Sequence, residues 1–231
     1  MIPLRDENPS GSVPLVTIGL IALNCAVFLY EVVLGPDVRE FMFAWGMVPA
    51  RLTLAVRSGA EPIAGPAITV LTSMFLHGGW MHLIGNMWYL WLFGDNVEDR
   101  LGSLRYLVFY LTGGLVAALI QFLTGPTSRL PMMGASGAIA GVLGAYAVTF
   151  PRARVITLLP FFPFIQIVAL PALVLLGLWF IYQLLVGAVA LAGSVGGGVA
   201  WWAHIGGFAF GMVAIRPLTP RRRTPSRAWL P

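Results

Sequence analysis

The sequence predicts an all-α membrane protein in which six transmembrane helices form one bundle. Two observations support this fold class. First, 58% of the 231 residues are hydrophobic and 10% are charged, whereas about 25% of the residues of a soluble domain carry charge. Second, polar residues, glycines and prolines divide the chain into six apolar segments, and a membrane-spanning helix needs about 20 such residues. The predicted spans are 13–34, 80–94, 104–124, 136–150, 166–190 and 199–215.

The spans occupy most of the chain and predict one membrane domain. The first span has a longer apolar run than a cleaved signal peptide, so we expect it to remain as an anchor. Gly102 followed by Ser103 indicates a helix stop and then an N-cap, which predicts a tight turn between the second and third spans. The membrane domain covers 13–217, between a short N-terminus (1–12) and a basic tail (218–231).

The fourth span is too short to cross the whole bilayer. A helix from Ser136 to Phe150 is roughly 22 Å long, less than the hydrocarbon thickness of about 30 Å. Its start is therefore expected below the membrane surface, where the preceding loop must dip. Because irregular backbone at that depth needs protein or water around it, the sequence predicts a water-filled cavity beside Ser136.

The fourteen basic residues are all arginines, and their distribution predicts the orientation. With six spans, both termini lie on one side. Ten arginines fall on that side and four on the other, at Arg39, Arg51, Arg57 and Arg129. The positive-inside rule then predicts a multi-pass protein of a cell inner membrane with both termini in the cytoplasm. Half of the ten form a cluster around the Pro-rich tail without interleaved aromatic residues, so no nucleic-acid partner is expected.

Polar side chains capable of acid, base or nucleophile chemistry are concentrated near the starts of the even-numbered spans. Those spans all run in the same direction, so these side chains are expected at one depth in the membrane. Polar residues inside a bilayer are costly, and they are functional candidates by default. The candidates are His77, His82, Asn86, Ser136 and His204.

These residues match the needs of amide hydrolysis. A serine nucleophile needs a base within hydrogen-bond reach and donors for the developing oxyanion. Ser136 and His204 can form the first pair. His82 and Asn86 stand at i and i+4, on one helical face, and Ser136 adds the free backbone N–H of a helix start. The outer halves of the even spans hold no acid, which favours a two-residue dyad.

Small residues predict that the fourth and sixth spans pack closely. Gly137 and Gly141 form one GxxxG pair, and Gly207 and Gly211 form another. Close approach of these helices is what a contact between Ser136 and His204 requires. Polar residues on the odd spans are expected to form interhelical hydrogen bonds; they are Asn24, Gln121, Gln166 and Gln183.

A purely structural serine, a metal site and a transporter each fit the polar residues less well than a protease. A lone serine in a membrane helix often bonds back to its own helix, but here it occurs with a histidine at the same depth. His77 and His82 are five residues apart and lack an HExxH glutamate, so no metal is expected. A transporter would be indicated by two half-length repeats with interrupted helices, and the sequence has none.

Three stretches resemble the rhomboid family of intramembrane proteases. They are TSMFLHGGWMHLIGNMWYLWLFGDNVEDRLG at 72–102, GASGAIAG at 134–141 and AHIGGFAFG at 203–211. The resemblance implies a bacterial-type, rhomboid-like six-helix bundle without a cofactor. It also implies cleavage of transmembrane protein substrates, in or near their spans, with small residues at the cut. It says nothing about oligomeric state.

The resemblance also implies individual roles. Ser136 of GxSG would be the nucleophile and His204 of AHxxG the base, and His82 and Asn86 match the oxyanion motif HxxxN. Gly134, Gly137, Gly207 and His77 would support the site, with a structural role for His77.

One position departs from the family pattern. The family commonly has an aromatic residue four positions after the serine, packed on the histidine, and this chain has Ala140. Phe208 or a neighbouring aromatic residue is expected to hold His204 instead. The main alternative is a rhomboid-like pseudoprotease, a scaffold that binds client membrane helices. Such proteins typically lose the serine or the histidine, and both are present here.

Overall fold

The computed structural model describes residues 1–59, 62–161, 164–192 and 199–220. Two 3₁₀ turns, Gly35–Asp37 and Ser73–Phe75, interrupt the helical parts. The elements in chain order are β1 (Ile2–Asp6), α1 (Leu15–Leu34), α2 (Val38–Trp45), α3 (Pro49–Ser58), α4 (Ala64–Thr72), α5 (Trp80–Leu101), α6 (Ser103–Thr124), α7 (Ser136–Thr149), β2 (Arg154–Phe161), β3 (Phe164–Pro171), α8 (Ala172–Leu191) and α9 (Trp201–Leu218).

The predicted helical membrane bundle is confirmed, and each predicted span corresponds to a helix: α1, α5, α6, α7, α8 and α9. Among the described residues, three helical segments are long and apolar enough to cross a membrane, at 15–45, 103–124 and 172–191. A fourth candidate span combines 64–75 with 80–101 at a bend of 76°. Helix α7 is apolar but shorter, as its sequence predicts.

Helix α7 lies at the centre of the bundle, where every residue from Gly137 to Ala147 is buried. It packs against α5, α6, α8 and α9, most closely against α9. Glycines allow this approach. A Cβ atom added to Gly207 would collide with the carbonyl oxygen of Gly137, and one added to Gly211 would collide with that of Gly141. The structure therefore shows the close contact that the glycine pairs predict.

An antiparallel sheet of order β1-β2-β3 was not predicted. The predicted fifth span begins at 166, but 164–171 form β3, paired with β2 from Arg154↔Pro171 to Phe161↔Phe164. An apolar run alone does not distinguish a strand from a buried helix. The helix begins only after Pro171, whose ring fixes a backbone angle suited to a helix start.

The predicted N-terminal segment 1–12 contains strand β1, which connects the sheet to the bundle. The Asp6 carboxylate accepts hydrogen bonds from the Tyr146 hydroxyl of α7 (2.7 Å) and from the Asn96 amide of α5 (3.0 Å). This network lies near the end of α7 opposite Ser136. Most of the predicted basic tail, 221–231, lies outside the described residues.

Candidate active site

Ser136 and His204 form a direct contact between α7 and α9. The Ser136 Oγ atom lies 2.8 Å from His204 Nε2. Ser136 is the first residue of α7, and His204 lies in the first turn of α9. The glycine-mediated packing of these helices brings together two residues that are 68 positions apart. The hydroxyl thus has a base within proton-transfer distance.

The second ring nitrogen of His204 contacts a residue whose role here was not predicted. His204 Nδ1 lies 2.9 Å from Oε1 of Gln183, on α8, and the Gln183 side chain is buried. The sequence predicts an interhelical hydrogen bond for Gln183, and the structure shows one. Its partner is the imidazole of the candidate base. No signal in the sequence of α8 indicates this contact, because the helix is apolar on nearly every face.

Aromatic residues of two helices enclose the His204 ring. Trp179 of α8 lies with its ring centroid 6.0 Å from that of His204, tilted by 37°, and Trp201 lies edge-on at 6.4 Å. Phe208, expected as a substitute for an aromatic residue at 140, instead stacks on Phe180 at 4.6 Å. A neighbouring aromatic, Trp179, therefore packs on the histidine.

His82 and Asn86 present hydrogen-bond donors on the other side of Ser136. The Gly78 backbone N–H donates to Nδ1 of His82 (3.3 Å), so the hydrogen of the neutral ring resides on Nε2. The Asn86 amide nitrogen is buried and has no hydrogen-bond partner. A buried donor without an acceptor is costly, and at the wall of a cavity it can donate to an acceptor that enters the cavity. Both side chains line one cavity with Ser136 and His204.

Gly134 provides the space for these donors. Its φ angle is +118°, which L side chains rarely adopt. A Cβ atom there would lie 2.6 Å from His82 Nε2 and 3.6 Å from the Asn86 amide nitrogen. The Gly134 N–H donates to the Ser73 carbonyl at 2.8 Å, which fixes the loop before α7.

His77 lies behind the site and does not line the cavity. Its ring is buried and packs edge-on against His82, at 5.0 Å between centroids, and against Phe28 at 6.5 Å. Its backbone N–H donates to the Glu31 carboxylate at 3.2 and 3.3 Å. These contacts support the position of His82. In the described parts of the chain, no three His, Cys, Asp or Glu side chains approach closely enough to hold a metal ion.

The cavity at Ser136 has a volume of about 640 Å³ and extends from α5 to α8. Ala140 forms part of its wall, where its methyl group leaves space beside His204. The chemistry of the site is thus a serine and a histidine in contact, two fixed donors, and an apolar groove. The apolar lining includes Met81, Tyr89, Met132, Met133, Ile139 and Leu143.

Curated relatives share sequence with this chain over 38% to 84% of its length. Presenilin-associated rhomboid-like protein A, mitochondrial, of Danio rerio is 33% identical over 68% of this chain and 40% of the relative. The Homo sapiens presenilin-associated rhomboid-like protein, mitochondrial, is 32% identical over 84% of this chain and 46% of the relative. Rhomboid protein 1, mitochondrial, of Saccharomyces cerevisiae is 33% identical over 38% of this chain and 27% of the relative. The chain spans less than half the length of these relatives.

The names of these relatives contradict the predicted location in a cell inner membrane, because all three carry the word mitochondrial. The prediction was wrong for a physical reason. Arginine counts report which side of a bilayer a loop occupies, and they do not distinguish one kind of membrane from another. The prediction that both termini lie in the cytoplasm was part of the same location and is wrong for the same reason.

A family model of the Rhomboid domain matches residues 64–221, a range that contains α4 to α9 and every candidate site residue. The match covers more than half of the chain, and the curated relatives agree with it. The chain therefore belongs to the rhomboid family.

Proposed function

We propose that this chain is an intramembrane serine endopeptidase that cleaves other membrane proteins in or near their spans. The observation that carries the proposal is the 2.8 Å contact between Ser136 Oγ and His204 Nε2 beside the unpartnered amide of Asn86. A hydroxyl in a membrane helix that served only packing would need neither a base nor a free buried donor nearby.

In the proposed reaction, His204 Nε2 takes the Ser136 proton while Oγ attacks the carbonyl carbon of the scissile peptide. The oxyanion that forms accepts hydrogen bonds from His82 Nε2–H, the Asn86 amide and the Ser136 backbone N–H. The imidazolium then gives its proton to the leaving amine as the C–N bond breaks. Water, deprotonated by the same nitrogen, hydrolyses the acyl-enzyme and regenerates Ser136.

The cavity suggests the class of substrate. Its walls are mostly apolar, and it extends between α5 and α8, both of which carry many exposed apolar residues. A transmembrane segment of another protein could approach from the bilayer between these helices. The segment must present its backbone in a non-helical form, because helical hydrogen bonds shield the peptide carbonyl groups. Polar side chains of the cavity, such as Asn86, can satisfy that backbone.

The test is cleavage by the full chain in detergent, with a panel of single-pass membrane proteins as substrates. Ser136→Ala should abolish the product. Ser128→Ala is the matched control, because Ser128 lies in the loop before α7 outside the cavity. Substrate capture without any Ser136-dependent product would overturn the proposal and favour the scaffold alternative.

A further inference from the structure

The two nitrogens of an imidazole ring restrict how His204 can act as a base. A neutral ring carries one hydrogen, and the nitrogen without it is the acceptor. For Nε2 to accept the Ser136 proton, the ring hydrogen must lie on Nδ1. This inference rests on the proposed function in one respect: it takes from it that His204 accepts the proton of Ser136.

The acceptor available to Nδ1–H is the Gln183 side-chain carbonyl, at 2.9 Å. Within the described residues, the hydrogen bonds to the His204 ring come from Gln183 and Ser136 alone. Gln183 is 5% exposed, so its side-chain oxygen is held inside the bundle beside the His204 ring. The surrounding rings, Trp179 and Trp201, supply no acceptor in the ring plane.

We infer that Gln183 is a positioning residue that holds His204 in the tautomer with hydrogen on Nδ1. The Ser-His-Asp template assigns this task to a carboxylate. A neutral amide suits a site inside a bilayer, because burying a second ionised group there is costly. When His204 becomes charged during the reaction, the same oxygen accepts a hydrogen bond from the cationic ring. Gln183 thus replaces the absent acid without adding a charge.

The sharpest variant is Gln183→Met, which keeps the length of the side chain and removes the acceptor. The matched control is Gln121→Met on α6. Gln121 also contacts α9, but its Oε1 accepts from the Ala203 backbone N–H at 3.1 Å and not from the imidazole. Gln183→Glu keeps an acceptor oxygen at the same position and is the rescuing variant.

The direct measurement is ¹⁵N NMR of protein labelled at histidine, which distinguishes hydrogen on Nδ1 from hydrogen on Nε2. The chain has only three histidines, so His204→Ala identifies the His204 signals. The wild type and Gln121→Met should show hydrogen on Nδ1 of His204. Gln183→Met should show a mixture of tautomers, and Gln183→Glu should restore the wild-type pattern.

Kinetics give a second measure. The turnover number of Gln183→Met should fall by about 10- to 10²-fold with little change in KM, the size expected for one hydrogen bond to a group that becomes charged. The control Gln121→Met should keep its turnover even where its melting temperature falls. Gln183→Glu should recover most of the lost turnover.

The NMR result separates this inference from the proposed function. If Gln183→Met leaves His204 with hydrogen on Nδ1 alone, or if the wild type carries it on Nε2, the positioning role is refuted whatever the activity. If Ser136→Ala still cleaves, the proposed protease function fails, and the tautomer measurement still decides the role of Gln183.

Discussion

Replacement of Gly207 by alanine tests whether the contact of α7 with α9 assembles the site. A Cβ atom at 207 would collide with the carbonyl oxygen of Gly137 and lie 3.3 Å from the Ala140 Cβ atom. The carbonyl belongs to the backbone of a buried helix and cannot rotate away. The two helices must therefore separate or shift. Overpacking of this kind typically costs about 1 to 3 kcal/mol of unfolding free energy.

The effect on activity should exceed the effect on stability. Ser136 Oγ and His204 Nε2 are 2.8 Å apart, and they lie on different helices, α7 and α9. A displacement of about 1 Å can cost about 10²-fold in rate. Gly207→Ala should thus lower turnover by at least that factor in protein that still folds.

The measurement combines thermal unfolding in detergent with initial cleavage rates on the same samples. Gly19→Ala is the matched control: Gly19 lies within α1, and an added Cβ atom there has nothing within 4 Å. An alanine at such a position should stabilise the helix slightly, by about 0.5 to 1 kcal/mol. Wild-type turnover and melting temperature in Gly207→Ala would refute the packing argument.

Three further results are expected. Ser136→Ala, His204→Ala and the double variant should each lose about 10⁴-fold or more in turnover, because the pair acts as a unit; clearly additive losses would contradict the dyad. Asn86→Ala should lower turnover by about 10²- to 10³-fold with little effect on KM or melting temperature, as loss of one oxyanion donor does; wild-type turnover in a folded variant would remove Asn86 from the site. Burial raises the pKa of Asp6 from 3.8 to about 6, so folded protein binds more protons than unfolded protein between those values. Its stability should therefore decrease as the pH rises through that window. The melting temperature of Asp6→Asn should decrease less over this window than that of the wild type, and an unchanged pH dependence in that variant would exclude Asp6 as a contributor.

The helices and the grouping of the polar residues could be predicted because each follows from one physical rule. Long apolar runs identify α1, α6 and α8, and the alternation of direction brings the starts of α5, α7 and α9 to one side. The glycine pairs then predict which two helices touch. These rules need no knowledge of how each helix is rotated about its axis.

The contact of Gln183 with His204 depends on that rotation and could not be predicted. Helix α8 is apolar on nearly every face, so its sequence does not show which side faces the bundle. Strand β3 could not be predicted for the same reason. Its apolar run continues directly into α8, so the sequence does not show where the strand ends and the helix begins. The packing of Trp179 on His204, in place of an aromatic residue at position 140, could not be predicted either. It depends on how α8 and α9 are rotated relative to each other, which the sequence leaves open.

The pairing of β1 with β2 affects the order in which the protein can assemble during synthesis. Ile2 pairs with Leu158, so β1 has no partner strand until residues about 150 positions further along have been made. Contacts between residues so distant in sequence form late, because a long loop must close before they can stabilise the structure. We therefore expect this strand to complete its pairing only after β2 has been made, although α5 already offers it hydrogen bonds through Trp88 and Asn96. Ribosome-bound chains that end before Arg154 should leave this strand more accessible to protease than chains that include all of β2.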